Sequence, residues 1–187
     1  PTSSGSRMNY MAFIAESITT FYDAQQDRLN LLFVNKEKKQ LIGVMVRRLL
    51  KNLLTQLPEW LALLHHTNLL PQTAEQQWHI HHLHHQVSQQ TVAVTYEKVR
   101  PHEQFESFLI DTIHLAKAHR NTKDPKIRLT FVNAAKTIEV IFILTPSQLH
   151  KLLGEILKQV KTWDIHNPWE EKSAHPVLSA PKPEILH

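Results

Sequence analysis

An internal repeat is the feature that most constrains the fold of this chain. Residues 13–18 (FIAESI) match residues 108–113 (FLIDTI) in their order of aromatic, aliphatic, acidic and hydroxyl side chains. Residues 29–35 (LNLLFVN) match residues 127–133 (IRLTFVN), and the offset grows from 95 to 98 across a predicted turn. At an offset of 99, Leu50, Leu53, Leu54 and Leu57 match Leu149, Leu152, Leu153 and Ile156. Loops lengthen more readily than the elements they join, so we interpret the pattern as the duplication of one structural unit.

Each unit is predicted to hold three strands followed by a helix. Apolar residues alternate in the second segment of both units, as in strands that bury one face. The third segments, residues 41–46 and 140–144, are apolar at successive positions, which predicts that both of their faces are covered. The predicted fold class is α+β: an internal duplication of a β-β-β-α unit, with antiparallel sheet or sheets, helices packed on one face and a connecting helix. The pattern leaves open whether the strands form one sheet or two.

Capping signals locate two of the helices. Thr145 and Gln148 form a capping-box signature around Pro146, a residue that suits the first helical position. Thr73 and Gln76 form a second such signature. It predicts a connecting helix over about residues 74–90, followed by a strand-like segment at residues 91–96.

The first unit departs from the second at Pro58. Proline has no amide hydrogen to donate, so the sequence predicts a kink or a restart of the first helix before Trp60.

These features divide the chain into five regions. We interpret residues 1–7 as an artificial extension before a native start at Met8, and residues 164–187 as a proline-containing C-terminal tail. The repeats are expected at residues 8–72 and 101–163, joined by a connecting helix and an extended segment at residues 73–100.

Composition excludes several classes of function. The chain has no cysteine, which removes thiolate catalysis and zinc–thiolate sites and favours a reducing, cytoplasmic location. Its three glycines are too few for the glycine-rich loops that bind nucleotide phosphates. No apolar run is long enough to cross a bilayer, so no membrane association is expected.

The histidine-rich segment at residues 79–85 is the most unusual local composition. If it is helical, His81 and His85 have the i,i+4 spacing at which two imidazoles share one Zn, Ni or Cu ion, with His82 as a further candidate ligand. No other cofactor is suggested by the sequence. The alternative is a polar helix face whose imidazoles point into solvent, and we favour that interpretation.

Basic residues cluster at residues 36–51, where Glu37 is the only acidic residue. Candidate contacts to phosphates or other anions are Lys36, Lys38, Lys39, Arg47 and Arg48. No stacking aromatic residues accompany them, and we favour the interpretation of a solvated turn and helix surface.

No catalytic set is predicted from the sequence. Glu16 and Asp111 recur at equivalent repeat positions, but the outward face of two first strands explains them. We therefore expect a non-enzymatic protein-binding or assembly protein that has a protein partner or self-associates, for example as a homodimer. Metal binding through the histidines is the second hypothesis, and nucleic-acid binding through the basic stretch is the third.

Overall fold

The computed structural model describes residues 10–65, 73–94, 105–118 and 125–170, which form an α+β fold. The first strands and helix are β1 (Met11–Asp23), β2 (Arg28–Asn35), β3 (Gln40–Met45) and α1 (Arg47–His65). The connecting helix is α2 (Ala74–Thr91). The later elements are β4 (Ser107–Leu109), β5 (Thr112–Lys117), β6 (Ile127–Val132), β7 (Ile138–Leu144), α3 (Pro146–Gln159) and a 3₁₀ turn at Lys161–Trp163.

The seven strands form a single mixed sheet in the order β4-β3-β2-β1-β7-β6-β5. Neighbours within β1–β3 and within β5–β7 are antiparallel, whereas β1 pairs with β7 and β3 pairs with β4 in parallel. The prediction of a purely antiparallel arrangement is therefore wrong, because the two halves meet side by side with the same strand direction.

One chain segment supplies both ends of this sheet, so the sheet curls into a barrel. Strands β4 and β5 are separated only by Ile110 and Asp111. The Ile110 amide donates to the Val44 carbonyl of β3 at 3.0 Å, and the Asp111 amide donates to the Val132 carbonyl of β6 at 2.9 Å. Backbone pairing is thus continuous around the barrel.

The core fills the barrel and continues into the helices. Phe33 lies at its centre, with ring centroids 5.1 Å from Phe131 and 6.5 Å from Phe108. Because β3 and β7 both run parallel to β1, α1 and α3 leave the barrel from the same end. Their apolar stripes join this core through Leu50, Leu54, Leu57, Leu149, Leu153 and Ile156.

Both capping boxes are confirmed, and α2 begins and ends within one residue of its predicted limits.

Helix α1 runs through Pro58 as a single element, so the predicted restart is wrong. Residues 92–94 form no strand, which contradicts that part of the predicted strand-like segment, and residues 95–96 lie outside the described ranges. The prediction that both faces of the third strands are covered is also wrong at Ile143, which is 45% exposed.

Gly43 on β3 provides room for the central packing of the barrel. A Cβ atom there would lie 2.8 Å from both Phe33 Cε2 and Ile110 Cδ1. We expect Gly43→Ala to lower the free energy of unfolding by about 1–3 kcal/mol, since overpacking forces these buried side chains to move. Urea denaturation measures the change.

The control is Lys38→Ala in the exposed β2–β3 turn, which should change the free energy of unfolding by less than about 0.5 kcal/mol. Lys38 has φ 61, but lysine and alanine both carry a Cβ, so the strain is the same for both. Equal effects at the two positions would contradict the packing inside the barrel.

Candidate functional site

The histidine-bearing side of α2 packs against α3. His81 and His85 are 8% and 5% exposed, which makes the expectation of solvent-facing imidazoles wrong at these two positions. The helices approach closely at Gly154, where a Cβ would lie 2.2 Å from Gln89 Oε1. The Gln89 side-chain amide donates to the His150 carbonyl at 2.7 Å. This contact between α2 and α3 is therefore made largely by polar groups.

Four aromatic and imidazole rings, of which His84 is only half-buried, form a cluster at this contact. His85 Nδ1 and His150 Nδ1 lie 3.2 Å apart, within hydrogen-bonding distance of each other. The His85 ring stacks on Trp169 with centroids 5.1 Å apart, and the His150 ring meets Trp169 edge-on at 4.7 Å. His84 contacts His150 edge-on at 5.0 Å. Ring packing and hydrogen bonding thus both hold the imidazoles in place.

The segment at residues 164–170 closes this cluster on the outside. Trp78 Nε1 donates to the Pro168 carbonyl at 3.2 Å, and His82 Nδ1 bonds to the Trp169 carbonyl. The Trp169 amide donates to Asn167 Oδ1 at 3.1 Å. The first part of the predicted tail is therefore packed on the body of the protein.

A second anchor lies just before this segment. Trp163 is buried, its indole N–H donates to Asp27 Oδ1, and its ring meets Tyr22 edge-on at 5.9 Å. Hydrogen bonds from Tyr22 and Trp163, together with the nearby Arg47, lower the pKa of the Asp27 carboxyl. The turn between β1 and β2 thereby fixes the end of α3.

Burial favours the uncharged form of His84 and His85. Desolvation lowers the pKa of His85 to about 4, opposed by the attraction of Glu170 and reinforced by His82 and His84. Desolvation also lowers the pKa of His84. His85 is therefore uncharged near neutral pH.

The three predicted metal ligands have separate surroundings. His85 bonds to His150, His82 bonds to the Trp169 carbonyl, and His81 is buried one helical turn before His85. Across the described ranges, no group of three His, Asp or Glu side chains is placed to hold a metal ion. Sequence reasoning missed His150, which lies far along the chain, although a lone histidine beside the apolar stripe of α3 was a signal.

The basic stretch is divided between two ends of β3. Lys36, Lys38 and Lys39 are exposed in the turn before β3, whereas Arg47 and Arg48 are exposed at the start of α1. A strand of six residues spans about 20 Å, so the charges that are close in sequence do not form one compact patch.

The two repeat carboxylates, Glu16 and Asp111, do not come together. Three steps between neighbouring strands separate β1 from the β4–β5 segment in either direction around the barrel. Neighbouring strands lie about 4.8 Å apart, so Glu16 and Asp111 lie on opposite sides of the barrel.

A cavity of about 360 Å³ lies between β1, residues 92–94 and α3. It borders the β-bulge at Glu16. Two pairs of its polar groups bond to each other: Gln159 Nε2 donates to Thr20 Oγ1 at 2.6 Å, and Lys151 pairs with Glu155 at 3.3 Å. Glu155 also pairs with Lys158 at 2.9 Å. Burial alone would raise the pKa of Glu155, but hydrogen bonds from the two lysines lower it.

The outward side of α2, away from its buried histidines, carries three apolar residues among polar ones. Ile80, Leu83 and Val87 are 50%, 60% and 45% exposed. We name these three residues the α2 stripe. A surface helix normally turns its apolar side to the core, so the orientation of α2 is the reverse of the usual one.

Comparison with known proteins gives no family assignment. No family model matches the chain, and neither a curated protein nor a solved structure is significantly similar to it. Within the described ranges, every helix is too short or too polar to cross a membrane.

The low pKa of His85 predicts a stability loss on acidification. The unfolded chain, with an ordinary histidine pKa near 6.5, binds more protons than the folded chain between about pH 6.5 and 4, so stability falls as the pH drops through this window. The loss should approach about 3 kcal/mol. Urea denaturation from pH 7.5 to 4 measures it.

His85→Gln should flatten this pH dependence, whatever its effect on stability at pH 7.5. The matched control is His79→Gln at an exposed position of the same helix, which should keep the slope of the unmodified chain. An unchanged slope in the His85 variant would contradict the assignment.

Proposed function

We propose that this chain is a non-enzymatic protein-binding or assembly protein whose contact surface is the α2 stripe. The observation that carries the proposal is the reversed helix: the apolar residues face solvent while His81 and His85 are buried. Single exposed apolar residues are common on protein surfaces. Here three of them align at the 3- and 4-residue spacings by which an amphipathic helix recognises a partner.

The attachment of α2 to the rest of the fold supports this role. Its buried side is held by Gln89, His85 and Trp78 through contacts to α3 and to residues 167–169. Such a surface loses little conformational freedom when it binds, which favours association.

We further propose that the scaffold arose by duplication of a β-β-β-α unit. The strand registers support this interpretation. In the first half Phe33 pairs with Ile18 and Leu41, and in the second half Phe131 pairs with Ile113 and Val140. These are the positions that the sequence repeat aligns independently. Helix α2 lies between the units, so the repeat pattern leaves it available for a separate role.

Metal binding and nucleic-acid binding stay as predictions from the sequence. The separate surroundings of His81, His82 and His85 provide no specific support for a metal site. The division of the basic residues between two ends of β3 provides none for a continuous phosphate-binding surface. The α2 stripe is the feature that favours protein binding over both.

Site-specific photo-crosslinking in native cells tests the proposed surface. A benzophenone amino acid in place of Leu83 should form an adduct with one defined protein, identified by mass spectrometry. The matched control places the same group at Leu63, which is 62% exposed on α1. Adduct formation at position 83 should disappear when Ile80→Glu is added, since a charge in an apolar contact weakens binding.

No adduct from positions 80, 83 and 87, or the same adducts from position 63, would contradict the proposed surface. The identity of the adduct matters as well, because a second copy of the chain and an unrelated protein give products of different mass.

A further inference from the structure

We propose that the partner of the α2 stripe is the α2 stripe of a second copy, packed antiparallel about a twofold axis at Leu83. The inference rests on the proposed function and specifies its partner. A twofold contact requires a surface that is complementary to itself, which is a strong restriction on the order of residues along a helix.

The exposed seam of α2 has such an order. Exposed residues at spacings of 4, 3, 4 and 3 lie along one side of the helix: Gln76, Ile80, Leu83, Val87 and Gln90. Reversing the helix places Gln76 near Gln90 of the second copy and Ile80 near its Val87. Leu83 then lies next to its own equivalent. Apolar residues face apolar residues, and amides that can bond to each other face amides at both ends.

The charge of α2 also favours a second copy over a different partner. Residues 76–91 contain no Asp, Glu, Lys or Arg. Helices that select a different partner commonly use opposite charges beside the apolar seam, whereas identical charged seams repel each other. A neutral seam has no such repulsion with its own copy. The antiparallel direction also keeps the two Glu75 side chains at opposite ends of the contact.

The small size of the surface limits the expected strength of association. An 18-residue helix is about 27 Å long, so a contact between two helices buries less area than a typical stable interface. We therefore expect a dimer whose population depends on concentration in the micromolar range, rather than an obligate dimer.

Sedimentation equilibrium of the full chain tests self-association. The mass should rise from 21.8 kDa towards twice that value as the concentration increases. Leu83→Glu should raise the dissociation constant by at least about tenfold, because it buries two charges at the axis. The matched control, Leu63→Glu, should leave the constant unchanged. Circular dichroism and thermal unfolding verify that both variants are folded.

The direction of the helices is tested with single cysteines, since the chain has none of its own. With a short bismaleimide, Leu83→Cys should cross-link to itself. Ile80→Cys mixed with Val87→Cys should give more cross-linked dimer than either variant alone, because like positions are about 10 Å apart along an antiparallel pair. Preferential cross-linking of like positions would indicate parallel helices and overturn the proposed axis.

The remaining outcomes separate this inference from the proposed function. A chain that stays monomeric at all concentrations but gives a photo-adduct with another protein at position 83 overturns self-association and keeps the protein-binding function. A dimer that Leu83→Glu does not weaken overturns α2 as the interface between copies. A monomer without any adduct at positions 80, 83 and 87 overturns both.

Discussion

Closure of the sheet by the segment at residues 107–117 is the constraint on which the rest of the structure depends. A β-sheet edge carries unpaired amide and carbonyl groups, and here one segment satisfies one edge with β4 and the other with β5. The change of partner occurs between Ile110 and Asp111, whose amides bond to β3 and β6. Because β3 pairs in parallel with β4, and two antiparallel pairings relate β5 to β7, β3 and β7 run in the same direction. Helices α1 and α3 therefore leave from the same end.

The contact between α2 and α3 follows from how that end is occupied. The apolar stripe of α3 is used by the core, so α2 meets a side of α3 that carries His150, Lys151 and Gly154. A polar surface is buried at low cost only when its groups are hydrogen-bonded. Neutral imidazoles meet this requirement because each can donate from one ring nitrogen and accept at the other while it also stacks on an aromatic ring. The histidines of α2 are therefore better suited to this contact than aliphatic side chains would be.

The sequence predicted the local structure well and the long-range pairing poorly. Capping boxes at Thr73 and Thr145 and the alternation around Phe33 and Phe131 depend on neighbouring residues, so a single sequence contains the relevant information. Strand order does not leave such a signal, and the parallel junction between β1 and β7 was missed for that reason. The histidine cluster was misread because its partners lie more than sixty residues away along the chain. The unbroken α1 at Pro58 indicates that tertiary packing can outweigh a local helix breaker.

The two sides of α2 make different physical demands on the same helix. The buried side needs groups that hydrogen-bond without charge, and burial provides this by lowering the pKa of His85 to about 4. The outward side has no such need, so its aliphatic residues are not explained by the fold. Among the described residues, Ile80, Leu83 and Val87 lie outside the core cluster, so polar replacements would remove none of its contacts. Apolar residues outside the described core, at a regular helical spacing and on a firmly attached helix, are the physical basis of the proposed contact with a protein partner.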